Sequence, residues 1–263
     1  MEGPLTLPGS SPPPGPPAGR PGNRLSLKLC TPPAMIDVTN VQKAFGERTV
    51  LDGVSFTVAP GTIAALVGPN GSGKTTTLHV LAGLATPDGG SATVAGHDVP
   101  PDPSRRPSGQ AHLSFLPQDV RFHDALTPRQ VLRFYAGLRD APTSRIDALL
   151  ETVALTDAAD QRCGTLSGGM RQRLGIAVFE LADAPVLLLD EPALSLDPEW
   201  RAVLMDRLRA RADDGAAVLL ATHLLDVWRP IVDQVLRCED GQIRKEEGSP
   251  APVPRDVTTG SPS

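Results

Sequence analysis

An apolar run, Ile63-Ala64-Ala65-Leu66-Val67, leads straight into Gly68-Pro69-Asn70-Gly71-Ser72-Gly73-Lys74-Thr75, which fits the G-x-x-x-x-G-K-[ST] pattern with nothing missing. That pattern is a P-loop, and it demands a strand before it and a helix after it. Three glycines let the backbone turn tightly enough to aim successive N–H groups at one phosphate. The following helix adds its free first-turn amides and the positive end of its dipole. Residues from Thr75 to Leu84, with Leu78, Leu81 and Ala82 apolar, supply it. Within the loop, Lys74 is expected on the β- and γ-phosphates of a nucleoside triphosphate. The Thr75 hydroxyl is expected on Mg²⁺, with Thr76 beside it on the phosphates.

A P-loop alone does not separate GTPases, kinases, helicases and transport ATPases. The run Thr165-Leu166-Ser167-Gly168-Gly169-Met170-Arg171-Gln172-Arg173-Leu174-Gly175 is more selective. Ser167 reads as an N-cap, followed by two glycines at the start of a helix running to about Ala182, with Leu174, Val178 and Leu181 as its apolar stripe. Glycines weaken a helix start but leave its amides bare, which suits an anion.

On these residues the chain closely resembles the ATP-binding subunits of ABC transporters, over roughly Met35 to Glu247. In that family L-S-G-G-x-x-Q is the signature that contacts the γ-phosphate of an ATP held by the other subunit's P-loop, which implies that role for Ser167, Gly168, Gly169 and Gln172. Further matches follow in family order. Val186-Leu187-Leu188-Leu189-Asp190-Glu191-Pro192 resembles the Walker B segment, so Asp190 is implied as the Mg²⁺ residue and Glu191 as the general base for water. Leu196-Asp197-Pro198 resembles the D-loop, with Asp197 reaching the shared site. Thr222-His223 resembles the switch histidine, and Leu116-Pro117-Gln118-Asp119 the Q-loop, whose Gln118 joins the Mg²⁺ and water network. Phe45 stands where the family places an aromatic ring against adenine. The D-loop departs from the family, which usually carries Thr and Gly ahead of L-D-P, whereas this chain has Ala193-Leu194-Ser195-Leu196-Asp197-Pro198. The remaining histidines, His79, His97, His112 and His123, share no ligand spacing and read as surface or loop residues.

The resemblance implies an α/β fold: a P-loop NTPase core, an antiparallel β-subdomain and an inserted helical subdomain. The residues agree. Strands are expected near 36–41, 54–58, 62–67, 91–95, 113–116, 186–190, 217–221 and 232–237, with a terminal hairpin around Asp240-Gly241. Crossover helices at 74–84 and 198–212 imply a largely parallel sheet, and the short early strands a separate antiparallel one. From about 119 to 184 the pattern is helical. There Thr127-Pro128-Arg129-Gln130 reads as a capped helix start, and Val131, Leu132, Tyr135 and Leu138 make one face. The stretch 98–110 holds Pro100, Pro101, Pro103 and Pro107, too many for a helix, and is expected to be an exposed loop.

Both ends differ from the middle. Residues 1–34 carry ten prolines and five glycines, and 248–263 are rich in Pro, Ser and Thr. Neither can bury a core, so both are expected to be disordered around a folded domain at 35–247. The leader reads equally as the product of an upstream start codon or as a flexible extension. A net charge of −5 argues against a nucleic-acid partner held by bulk electrostatics. No apolar stretch approaches the ~18 residues that span a bilayer, so membrane contact is expected through a partner. Cys30, Cys163 and Cys238 lack a C-x-x-C pair and read as reduced thiols in a cytosol.

Within that resemblance the expected partners are a second ATP-binding subunit, identical or different, and integral-membrane permease subunits. A P-loop neutralises only part of an ATP tail, and the signature helix end has no phosphate of its own, so each chain is half a site. Two ATP molecules between two chains would complete both. The Phe115-Leu116-Pro117-Gln118 run, the Leu126-Thr127-Pro128-Arg129-Gln130-Val131-Leu132 run and the D-loop look most like the bacterial ABC-2 type, often exporters. The alternative is a related ATPase acting on ribosomes, though those usually carry two such domains. A DNA-repair type would need a long coiled coil between P-loop and signature, for which there is no room.

Overall fold

The computed structural model describes residues 34–99 and 112–246. The leader 1–33, most of the proline-rich stretch (100–111) and the tail from 247 lie outside the described residues.

Six strands form the main sheet in the order β10-β9-β3-β8-β7-β6: β3 is Ile63–Val67, β6 Leu113–Leu116, β7 Val186–Asp190, β8 Ala217–Thr222, β9 Gln234–Glu239 and β10 Gln242–Lys245. From β9 to β6 the pairing is parallel, and β10 closes one edge as an antiparallel hairpin. Its turn residues Asp240 and Gly241 both have positive φ, at 47° and 75°, the geometry of a two-residue type I′ turn. Every residue of β3, β7 and β8 is buried, as parallel strands covered on both faces require.

Because side chains alternate along a strand, this one sheet feeds two cores. Ile63, Ala65, Val67, Leu187, Leu189, Val218 and Leu220 face one way. On that side they meet helices α2 (Pro128–Leu138), α3 (Ile146–Thr152), α4 (Gly168–Phe179), α5 (Pro198–Asp213) and α6 (Leu225–Trp228). Ala64, Leu66, Val186, Leu188, Leu219 and Ala221 face the other way, onto α1 (Lys74–Leu81) and a second sheet. That sheet is antiparallel, ordered β2-β1-β4-β5, with β1 at Ile36–Phe45, β2 at Arg48–Val58, β4 at Gly89–Val94 and β5 at His97–Asp98. The α/β reading with an antiparallel side sheet and helices inserted between β6 and β7 is the fold observed.

Several boundaries correct the sequence reading. The strand expected at 54–58 is eleven residues long and pairs with β1 across a tight turn at Gly46-Glu47. Polar residues on its exposed side, among them Arg48, Thr49 and Asp52, hide its first half from a hydrophobicity pattern. Helix α4 ends at Phe179, not near Ala182, and α1 ends at Leu81, short of Leu84, because Gly83 turns left-handed at φ 62°. His79 is not a loop residue: it sits half-buried on α1, edge-on to Phe115 at 5.8 Å. His97 and His112 stack at 4.3 Å; burial and the neighbouring His97 hold the His112 pKa below its ordinary value.

The inserted helices are tied to the sheet by arginines. Arg139, at the end of α2, donates to Ser114 Oγ (3.3 Å) and to the Val178 carbonyl (3.1 Å). Arg145 reaches the carbonyls of Leu181 and Glu180 at the end of α4, where a cation also complements the helix dipole. On the other flank Arg209 of α5 binds Asp233 at 2.9 Å and the Gly61 carbonyl at 3.1 Å, while Asp233 accepts from the Ile63 amide at the start of β3. Arg139→Met keeps the stem but removes these donors, at a cost of about 1–3 kcal/mol. Its melting temperature should fall by roughly 2–10 °C in a thermal scan with nucleotide affinity unchanged; an unchanged melting point would show that the tether contributes nothing.

Candidate active site

The site forms where parallel strands end together. Val67, the last residue of β3, is in register with Thr222 of β8, and Asp190 at the end of β7 with Ala221. The loops leaving β3, β7 and β8 therefore emerge side by side, carrying the P-loop, Asp190-Glu191 and His223. In open α/β sheets ligands bind at this carboxyl edge.

Two glycines show why the loop has its sequence. A Cβ on Gly68 would stand 2.1 Å from the Cys238 carbonyl oxygen, so no other residue fits between β3 and β9 there. Gly73 has φ 108° and lies so close to Val50 and Leu51 that a Cβ would meet both. Behind the loop the Cys238 thiol donates to the Ser72 carbonyl at 2.8 Å. Lys74 is 6% exposed and donates to the carbonyls of Gly68 (2.9 Å) and Pro69 (3.0 Å).

A cavity of about 470 Å³ opens over this loop. Asn70, Gly71, Gly73, Lys74, Thr75 and Thr76 line it with Gln118, Glu191 and His223 from the other strand ends and Phe45 from the antiparallel sheet. Phe45 is 56% exposed, and the Lys43 ammonium stands 5.3 Å from its ring centre, held by Asp88 at 2.8 Å. Arg48, Val50 and Leu194 line the same cavity and were missed in the sequence. The signal for the first two was the hairpin turn Gly46-Glu47, which brings β2 back beside Phe45.

Asp190 is 2% exposed, and its Oδ1 has no hydrogen-bond partner. Burial pushes its pKa above the usual carboxylate range; the Thr75 hydroxyl bonded to it pulls the other way, and neighbouring Glu191 raises it further. A buried carboxylate oxygen left bare beside a threonine hydroxyl is a pair of hard oxygen donors, the set a small divalent cation takes when phosphates and water complete its shell. Glu191 is 7% exposed and adopts φ 46°, a left-handed conformation costly for a residue with a side chain. Its amide donates to Ala221 (2.9 Å), and its Oε1 accepts from His223 Nδ1 at 2.9 Å. An ionised carboxylate can only accept, so Nδ1 carries the proton in this pair.

The signature residues lie elsewhere. Ser167 caps α4, its hydroxyl accepting from the Met170 amide at 3.2 Å, and the exposed Gly168 amide heads the first turn, where no intrahelical acceptor exists. Gly169 lies beside the Ser195 carbonyl of the D-loop. Asp197 caps α5, accepting from the Trp200 amide at 2.9 Å. None of Ser167, Gly168, Gly169 and Asp197 lines the P-loop cavity. Gln172, also named from the signature, is 4% exposed in the first half of α4. One turn along the helix, at i+4 from Gly168, it lies on the same side of α4 as that glycine.

A P-loop cavity with two acids at the next strand end, and a capped glycine helix start apart from it, defines an ATP-hydrolysing cassette. Comparison with known proteins agrees. The family model described as ABC transporter matches residues 51–194. The "Nod factor export ATP-binding protein I" of Burkholderia lata is 38% identical over 223 residues, covering 83% of this chain and 72% of that protein. The protein of the same name from Rhizobium meliloti is 36% identical, over 83% and 65%. Among solved structures, an ATP-binding subunit of an ABC transporter superposes with a TM-score of 0.74 at 27% identity, covering 81% of this chain and 89% of that one. A dimeric ATP-binding cassette bound to ADP and Pi gives 0.71 at 25%, covering 81% and 98%. The chain belongs to the ABC transporter family. It is an ATP-binding, ATP-hydrolysing transporter subunit, and the comparisons give no support to the ribosomal alternative.

The raised pKa of buried Asp190 has a thermodynamic consequence. A carboxylate whose folded pKa is raised destabilises the fold as pH climbs through its titration, so at neutral pH the nucleotide-free protein carries this cost. Asp190→Asn should raise the melting temperature of the nucleotide-free protein, by roughly 2–4 °C per kcal/mol recovered, while abolishing hydrolysis. A lowered melting point would contradict the account of Asp190 as an unsatisfied charge.

Proposed function

We propose that the chain drives export through separate membrane subunits by closing on a second ATP-binding subunit around two ATP molecules. The observation that carries this is the division of the site: the P-loop, Glu191 and His223 share one cavity, whereas Ser167, Gly168 and Gly169 at the anion-binding end of α4, and Asp197, are not among its lining residues. Each P-loop then needs the signature end of another chain. The dimeric form of a structural relative and the word "export" in the relatives' names support the reading. Among the described residues no helix is long and apolar enough to cross a membrane, which suits a subunit held at the membrane by permease partners. The transported molecule touches those partners, so its identity is not carried over from the relatives. In this reading residues 35–247 act as the ATPase domain, with the helices between 119 and 184 as its partner-facing part.

The chemistry follows from the placements. The base stacks on the face of Phe45 opposite Lys43. Residues Gly68 to Gly73 present their amides to the β-phosphate, Lys74 leaves its loop carbonyls for the phosphates, and Thr76 adds a hydroxyl. Asp190 and Thr75 fit Mg²⁺, with Gln118 at the cavity wall; that ion would neutralise charge on the transferring phosphoryl group. Glu191 accepts a proton from water as the water oxygen bonds to the γ-phosphorus. The bond from that phosphorus to the bridging oxygen breaks, leaving its electron pair on ADP. His223, bonded to Glu191 and lining the same cavity, orients the carboxylate and contacts the γ-phosphate. Ser167, Gly168 and Gly169 of the second subunit close over the same phosphate, with its Asp197 alongside. Gly175 transmits the change: a Cβ there would stand 2.8 Å from Val120, so α4 packs directly on the segment following Gln118.

Size-exclusion chromatography with ATP and Mg²⁺ tests the proposal. Glu191→Gln should elute as an ATP-loaded dimer with hydrolysis reduced about 10²–10⁴-fold, whereas Lys74→Ala should lose affinity and stay monomeric. A Glu191→Gln protein that remains monomeric and hydrolyses at the parent rate would sink it.

A further inference from the structure

Strand pairing puts one more cation at the nucleotide cavity. The turn Gly46-Glu47 joins β1 to β2 with Phe45 and Arg48 directly opposite one another. Directly opposed residues of an antiparallel pair project from the same face. Gly46, at φ 60°, supplies the left-handed first position that a tight hairpin of this kind needs. Whatever rests against the Phe45 ring therefore passes beside Arg48. On its other side the guanidinium reaches the P-loop: Arg48 Nη2 lies 3.5 Å from the point where a Cβ on Gly71 would stand. Phe45, Arg48, Val50 and Gly71 all line this cavity.

Among the described residues the charge on Arg48 is uncommitted. Lys43, the other cation of this hairpin, is paired with Asp88. Arg129, Arg139, Arg145, Arg207, Arg209 and Arg211 are all bound to carboxylates or carbonyls. Arg48 has no ion pair or side-chain hydrogen bond among the described residues. Lys74 alone faces a triphosphate carrying several negative charges, and it approaches from the Gly68-Pro69 end of the loop. A guanidinium presents a planar fork of donors that matches phosphate oxygens two at a time.

We propose that Arg48 is a further nucleotide-binding residue, gripping the phosphate chain between the base platform and Gly71, on the side away from Lys74. The proposal rests on the P-loop cavity being the ATP site. It makes the Phe45–Arg48 hairpin one recognition unit, ring for the base and fork for the tail.

Titration of the full chain with ADP, a non-hydrolysable ATP analogue and AMP tests it. Arg48→Ala should raise Kd for ADP and the analogue about tenfold, flatten the dependence of log Kd on salt, and leave AMP binding and the nucleotide-free melting temperature unchanged. Arg48→Lys should recover part of the affinity. Arg48→Gln, which retains a polar stem without charge, should behave like the alanine variant and serves where that variant folds poorly. If Arg48→Ala binds ADP within twofold of the parent while Lys74→Ala does not, the site stands and Arg48 is no ligand. Equal losses for AMP and ADP would place Arg48 on the ribose or base and overturn the phosphate assignment. Parent-like binding by Lys74→Ala would instead overturn the reading of the cavity itself.

Discussion

Everything at this site depends on β3 being clamped between β8 and β9 with all five residues buried. A strand fixed on both edges and both faces cannot slide, and its register sets where the phosphate loop begins. The same pairing holds Asp190 and His223 at the matching height on the neighbouring strands. Even the close approach of Gly68 to the Cys238 carbonyl is a property of this packing, since β9 supplies that oxygen. The chemistry is thus inherited from sheet register. The strain at Glu191 and the bare Asp190 oxygen are local costs that the buried sheet is rigid enough to hold.

Much of this was legible in the sequence because the signals were local. A strand that must end in a glycine loop, two acids ending another apolar strand, and Ser167 or Thr127 ahead of a helix are short-range patterns, and the capping bonds of both residues are present. What the sequence concealed was non-local. Arg48 and Val50 belong to the cavity only because β2 folds back on β1, and the polar first half of β2 gave no hydrophobic alternation to announce it. The hydrogen bond from His223 to Glu191 links residues on different strands, and no spacing along the chain encodes it.

In the proposed reading the antiparallel sheet supplies specificity and the parallel sheet chemistry: Phe45 and Arg48 share the β1–β2 hairpin, whereas Asp190, Glu191 and His223 sit at the strand ends. The inserted helices connect these to the outside through α4, whose start offers bare amides and whose Gly175 packs on the Gln118 segment. The Trp200 ring lies 4.8 Å from the Arg173 guanidinium, which joins the signature helix to the D-loop helix. In the proposed reading a change at the γ-phosphate of either chain reaches the inserted helices along this path.

The account's central claim is that one ATP is held by the P-loop of one chain and the signature of another. Mixing two defective proteins, Lys74→Ala and Ser167→Arg, measures this directly through ATPase activity. Each alone should be nearly inactive. In mixed dimers one site keeps an intact P-loop and an intact signature, so partial activity should return. No recovery, with mixed dimers shown to form by differential tagging, would contradict a site shared between two copies of this chain.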